Sequence, residues 1–148
     1  MSVNLYPTVC NLCGGRVEYA SNDRIYGKQY GSGYCYLCTT CGAYVGTHKP
    51  WPRKAMGILA DEPMRKAKRN CHEIFDSKWQ GQPKVHKKRN DLYCWLAHEL
   101  DIPEDMCHFG YFDLAMLQKA YAVLLHIQDK PMQYDNMGRL FFDLTGGD

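Results

Sequence analysis

Residues Tyr34–Gly42 read YCYLCTTCG, with cysteine at every third position: Cys35, Cys38 and Cys41. One tight turn offers two thiolates to a cation, so one of the three is surplus. The residue after the last of them decides which. Gly42 follows Cys41, and an upstream stretch, CNLCGG at 10–15, repeats the pattern C-x-x-C-G with Gly14 in the same place. In such a knuckle backbone amides bond the sulfurs, and a residue tolerant of positive φ fits just after the second cysteine. Pairing Cys35 with Cys38 instead would lack that glycine, because Leu37 and Thr39 flank Cys38. The expected ligands are therefore Cys10, Cys13, Cys38 and Cys41, spaced C-x2-C-x24-C-x2-C, a long interval that a β-hairpin spans. Four thiolates leave no open coordination position, so the expected ion is one structural Zn2+, with iron on the same ligands as the other option. Strand alternation puts Cys35 and Leu37 on the face opposite Tyr34 and Tyr36, which makes Cys35 a small buried hydrophobe.

Outward from the knuckles, residues 10–48 are rich in Gly, Tyr and Cys and poor in helix formers. RVEYA (16–20), RIYGKQYG (24–31) and YCYLC (34–38) are predicted strands of a small antiparallel sheet. Pro50-Trp51-Pro52 predicts an extended connector over 50–60. A first helix is expected from Asp61, as cap, to Trp79, with Met64, Ala67, Cys71, Ile74 and Phe75 at helical spacing. QGQPKVHKKRN (80–90) is read as a loop. A second helix is expected over 91–100, capped by Asn90 or Asp91, with Leu92, Trp95, Leu96 and Leu100 facing inward. Asp113 should cap a third, with Leu114, Leu117, Tyr121, Leu124 and Leu125 on one face. The fold class is thus α+β: a zinc ribbon over 1–49, the connector, a compact three-helix region over 61–128, and a tail over 129–148 in which LFFDL could form a short strand.

Composition restricts the classes of function. No apolar run approaches the ~18 residues of a membrane span. The start, MSVNLYPTVC, has neither the basic region nor the apolar core of a signal peptide, so the eight cysteines are read as thiols of a reducing compartment, the cytoplasm. The net charge of +2 is unevenly spread: between Lys49 and Arg89 stand twelve Lys or Arg against four Asp or Glu, and the remainder is acidic. A basic middle between acidic ends fits a polyanion contact, and it equally fits a solvated helix beside a basic loop.

The stretch YGKQYGSGYCYLCTTCGAYVGTHK, followed by CHEIFDSKW, YCWLAHELDI and CHFGYFD, resembles a zinc-finger-containing domain family found widely in bacteriophages and prophages. The resemblance runs from about Cys10 to the start of the third helix. It rests on the two cysteine pairs, on Cys41 to Gly46 with His48, on Phe75, Asp76 and Trp79, and on Cys107, His108 and Gly110. Cys35 stands where an apolar strand residue is commoner, and the tail after about Asp129 has no counterpart. The resemblance implies a phage-like origin and a zinc-stabilised fold; it implies no particular activity.

Three functions compete for what the zinc site leaves over. Arg65, Lys66 and Arg69 on the first helix and Lys84, Lys87, Lys88 and Arg89 beyond it would neutralise phosphates, with Trp51 as a stacking group. Tyr26, Tyr30, Tyr34, Tyr36 and Tyr44 either add stacking surface or pack the small sheet. The same basic face would suit a phage protein that inhibits a host protein or defence complex. His72 and Asp76, four apart on one helix face, with His48 and His108 brought near, would begin a general base or a metal-dependent nuclease site. No phosphate loop, nucleophile elbow or paired-carboxylate motif accompanies them. A second metal site from Cys94 and His98, with Cys71-His72 or Cys107-His108, competes with the ordinary reading of Cys94 as a thiol buried in an apolar helix.

Overall fold

The computed structural model describes residues 3–145. The chain divides into two compact units, Met1–Arg65 and Lys66–Asp148.

The first unit is a three-stranded antiparallel sheet, β1 (Val17–Ser21), β2 (Tyr34–Cys38) and β3 (Tyr44–Gly46), in that order. Register pairs Val17 with Cys38 and Tyr19 with Tyr36, and on the other side Tyr36 with Val45. The predicted middle strand at 24–31 is absent. Asp23–Tyr26 form instead a single helical turn, α1, and the chain doubles back through Gly27. The reason is Asn22, one of two buried polar residues in the described chain. Its side chain donates to the Tyr30 carbonyl (2.8 Å) and accepts from the Tyr30 amide (3.1 Å), doing locally what a ladder would have done.

Residues 50–60 do not run as an extended connector. The chain closes a turn at 48–54 and returns along β3: Thr47 bridges Ala55, Tyr44 bridges Ala60, and the Met56 amide donates to the Gly46 carbonyl at 2.9 Å. Ala55, Leu59 and Ala60 are fully buried, and Ala55 and Leu59 share a core with Cys10, Val17, Tyr36, Cys38, Ala43 and Val45. Prolines at 50 and 52 shape the turn without blocking this return, because the residues that pair lie outside it. The unit closes with the first residues of α2 (Glu62–Trp79), whose start Asp61 caps by accepting from the Met64 amide at 3.1 Å.

The second unit holds the rest of α2, then α3 (Val85–Leu100), two short 3₁₀ turns at Glu104–Met106 and Phe109–Tyr111, and α4 (Leu114–His126). Phe75, Leu92, Leu96, Leu100, Phe109, Leu117, Leu124 and Ile127 form its buried interior. On α4 the inward positions are Leu117, Ala120 and Leu124, while Leu125 is exposed. The largest departure from expectation is α3, which starts at Val85, so that KVHKKR is helical and not a loop. Lys84, in the left-handed region at φ 56°, makes the sharp turn after Pro83 from which the helix runs. Lys78 ties the unit together from α2, donating to the carbonyls of Gln128 (2.7 Å) and Lys130 (2.6 Å) beyond the end of α4. Past it a two-residue hairpin, β4 (Gln133–Tyr134) with β5 (Leu140–Phe141), lays Phe142 edge-on to Trp95 at 4.8 Å. No helix among the described residues is long and apolar enough to cross a membrane.

Asp113 caps α4 as its sequence position predicts, accepting from the Met116 amide at 2.9 Å. Asp113→Ala leaves that amide unpaired and is expected to cost about 1 kcal/mol. Urea unfolding followed by helical circular dichroism measures it; an unchanged midpoint would show that the cap contributes nothing.

Candidate functional site

Both cysteine pairs sit on reverse turns of the same construction. In the first, the Gly14 amide donates to the Cys10 carbonyl (3.0 Å) and the Cys10 amide to the Gly15 carbonyl (2.8 Å); in the second, Gly42 donates to Cys38 (3.1 Å) and Cys38 to Ala43 (2.8 Å). Gly14 and Gly42 have φ of 76° and 81°, the left-handed conformation that closes each turn. Free amides then point at sulfur: Leu12 at Cys10 Sγ (3.3 Å), Gly15 at Cys13 Sγ (3.3 Å), and Thr40 and Cys41 at Cys38 Sγ (3.4 Å each). The turns face each other so closely that a Cβ on Gly15 would lie 2.6 Å from Thr40 Oγ1. Gly15 is thus needed for approach, a role the C-x-x-C-G pattern does not reveal.

The four Sγ atoms of Cys10, Cys13, Cys38 and Cys41 lie within 4.8 Å of one another, with Cys10 to Cys41 at 3.8 Å and Cys13 to Cys38 at 3.5 Å. A tetrahedron of Zn–S bonds of ~2.3 Å requires S···S edges of about 3.8 Å. The donor set fits one zinc ion. Its electrostatics require a cation as well. The Cys41 amide, ahead of opposing burial, leads the effects that bring the Cys38 thiol down to about 6. For Cys41 the Ala43 amide favours the thiolate, yet burial and the neighbouring thiols of Cys13, Cys38 and Cys10 push it up to about 12. Four sulfurs this close do not share four negative charges unless a metal compensates them. Zinc held by four protein ligands is a structural ion and performs no chemistry.

Cys35 is excluded from the site. It is 1% exposed, its Cα pairs with Gly46, and burial raises its thiol. Asn11, inside the first knuckle, was not singled out by sequence. Its amide donates to the Leu59 carbonyl (3.0 Å) and accepts from the Leu59 amide (2.9 Å), locking the knuckle to the returning chain.

The histidines stand as follows. His48 lies in the first unit within the 48–54 turn, where its carbonyl accepts from the Trp51 amide at 3.2 Å. His72 and Asp76 face each other along α2 at 3.6 Å, and His72 packs edge-on to Phe109. His108 packs on Tyr111 and Tyr93. Burial lowers the pKa of both: for His72 against the opposing pull of Asp76, and for His108 with further help from Arg89. Among the described residues the four cysteines are the one group that brings three or more potential ligands together. The second metal site of Cys94 and His98 therefore does not assemble. Cys107 instead is buried, and desolvation pushes its thiol up to about 12, so it stays protonated.

The basic residues divide by what they touch. Arg65 is spent within the first unit: it donates to the Ala60 carbonyl at 2.6 Å and to Glu62 at 3.2 Å and lies over the Tyr44 ring at 4.2 Å. Arg89 lies over Trp79 at 5.6 Å and Tyr93 at 5.0 Å, and Lys87 pairs with Asp91 at 2.7 Å and sits over Tyr134. Lys66 and Arg69 are exposed on α2. Lys84, Lys87 and Lys88 line a shallow groove of about 440 Å³ with Pro83, Tyr134 and Gly138. In the first unit Trp51 is 65% exposed.

A family model described as a zinc-finger-containing domain matches residues 6–127, and the chain belongs to that family. Neither the curated proteins nor the solved structures contain a match.

One zinc per chain is the expected content by metal analysis. Cys13→Ser or Cys38→Ser is expected to abolish stoichiometric zinc and melt the first unit, because the metal's binding free energy is folding free energy at such a site. Cys35→Ala should keep the zinc; its loss would place Cys35 among the ligands.

The lowered histidine pKa values set a pH dependence. A group whose folded pKa lies below its unfolded value contributes stability that is complete above the unfolded value of about 6.5 and is lost as pH falls through the folded one. Stability should thus fall between pH 7 and 5, and His72→Gln should flatten the profile. An identical profile in the variant would show that His72 is not involved.

Proposed function

We propose that this member of the zinc-finger-containing domain family is a phage-type accessory protein that binds nucleic acid through the start of α3. What carries the reading is the grouping of Lys84, Lys87 and Lys88 along one groove, with no acidic residue in the first turn of that helix. A helix presents the positive end of its dipole there, and cations at that end cost roughly 0.3–1 kcal/mol each unless an anion lies against them, as Asp91 does against Lys87. A phosphate backbone would relieve that repulsion and take up the free amides of the first turn. Lys66 and Arg69 on α2 add positive charge in the same unit. Arg65, bonded to the Ala60 carbonyl and laid over Tyr44, and Arg89, laid over Trp79 and Tyr93, serve the fold. The thiolate site needs a reducing compartment, which fits a cytoplasmic protein, in this reading that of the host cell.

The test is a fluorescence-anisotropy titration with single-stranded and duplex oligonucleotides at 50 and 200 mM salt. Binding should weaken steeply with salt. Lys84→Ala with Lys88→Ala should weaken it about tenfold and lower the log–log salt slope by roughly one per lysine. Absence of binding at low salt would retire the reading and leave the basic segment as a docking surface for an acidic host protein.

A further inference from the structure

The turn at 48–54 of the first unit exposes a large aromatic side chain on backbone that is held from several directions. The His48 amide donates to the Lys54 carbonyl (3.0 Å), the Trp51 amide to His48 (3.2 Å) and the Lys54 amide to Trp51 (2.9 Å). Two sheet tyrosines spend their hydroxyls on the same turn, Tyr19 donating to the Pro52 carbonyl at 2.8 Å and Tyr36 to the Arg53 carbonyl at 2.5 Å. Prolines on both sides of Trp51 restrict the turn further. Trp51 is nevertheless 65% exposed and Tyr6 58%, and together with Pro50, Pro52, Arg53 and Lys54 they line an open cleft of about 500 Å³. A tryptophan left in water contributes little to folding, and the rigid turn that carries it spares the ordering cost of that loop when a partner stacks on it.

The charges around it indicate the partner. Lys49, Arg53 and Lys54 lie in the turn, and no Asp or Glu occurs from His48 to Ala60. Lys54 Nζ lies 6.0 Å from the centre of the Trp51 ring. Beside it Arg53 covers the Tyr19 ring at 4.6 Å, and Tyr19 is stacked on Tyr34 at 5.1 Å with planes 12° apart. Tyr19 is thus engaged by Arg53 and Tyr34, which leaves Trp51 as the open ring; an open ring with cations beside it matches a base and its phosphate in an unpaired strand, where each base offers a ring face that a duplex hides.

We infer that the cleft at Trp51 is a stacking site for an unpaired nucleic-acid strand, with Trp51 holding a base and Lys54 a flanking phosphate. The inference rests on the nucleic-acid reading above and adds a preference for single strands.

It is tested on the full, zinc-loaded chain with dT12, rU12 and a duplex of equal length. Trp51→Ala should lower affinity for dT12 roughly tenfold while leaving duplex affinity and the salt slope unchanged, and Trp51→Phe should restore most of the loss. Ultraviolet cross-linking of a 5-iodouracil-substituted dT12 should attach the strand at residue 51. Contacts to ring faces and phosphates predict that rU12 and dT12 bind within a few-fold of each other; a tenfold dependence on the 2′-hydroxyl would overturn a site built on stacking. Equal losses for single strand and duplex, or no loss, would overturn the inference while the basic-segment reading stands. Loss on Trp51→Ala without any effect of the Lys84 and Lys88 changes would keep the inference and retire that segment. Failure of the unaltered protein to bind any oligonucleotide would remove both, and a Trp51 that then bound a protein partner would give the cleft a different occupant.

Discussion

Four sulfurs within 4.8 Å of one another are untenable as thiolates without a cation and of little use as thiols, and the first unit is organised around that fact. Zinc removes the repulsion and in return pins two turns that are separated by 24 intervening residues in sequence. Those turns set the ends of β1 and β2, and thereby the register that buries Cys35 and Tyr36. A three-stranded sheet with strands of three to five residues has too little apolar surface to stand unaided. The metal supplies what burial does not.

Hydrogen bonds extend this constraint beyond the ligands. Asn11, between the first two cysteines, grips both backbone groups of Leu59, and Tyr19 and Tyr36 hold the 48–54 turn from the sheet. Neutral contacts of this kind contribute about 1 kcal/mol each, far less than zinc ligation. Their importance is positional: they convert a segment with two prolines and an exposed tryptophan into a fixed edge of the ribbon. The metal determines whether the unit folds, and these contacts determine what it presents.

The zinc ligands were legible in the sequence because C-x-x-C-G encodes a local geometry, two sulfurs and a left-handed glycine, that does not depend on the rest of the fold. Asp61 and Asp113 were legible for the same reason, since a cap acts within three residues. What escaped were features decided at a distance. Asn22 replaced the strand expected at 24–31 by bonding Tyr30 with its own side chain, and nothing in RIYGKQYG signals that. Residues 50–60 read as a spacer because Pro-Trp-Pro is extended locally, whereas the burial of Leu59 that brings the chain back depends on a core assembled elsewhere. The start of α3 was misplaced because Gly81 and Pro83 suggested a longer loop; one residue at positive φ, Lys84, was enough to begin a helix.

The same distinction applies to charge. Counting Lys and Arg identified a basic segment but not which members are available to a partner. Arg65 and Arg89 lie over aromatic rings, and Lys78 caps carbonyls past α4, so much of their charge is committed to folding. A guanidinium on a ring is weakly hydrated and stays there, whereas an ammonium on a solvated stem moves to meet a phosphate at little cost. Lys87 is likewise paired with Asp91 and laid over Tyr134, so at the start of α3 the charge left for a partner is that of Lys84 and Lys88; in the first unit Lys54 lies beside Trp51. Lysine is a point charge with little geometric preference, so in the proposed contact it favours the phosphate backbone over base edges. Selectivity, on the proposed reading, falls in the first unit to the exposed ring of Trp51.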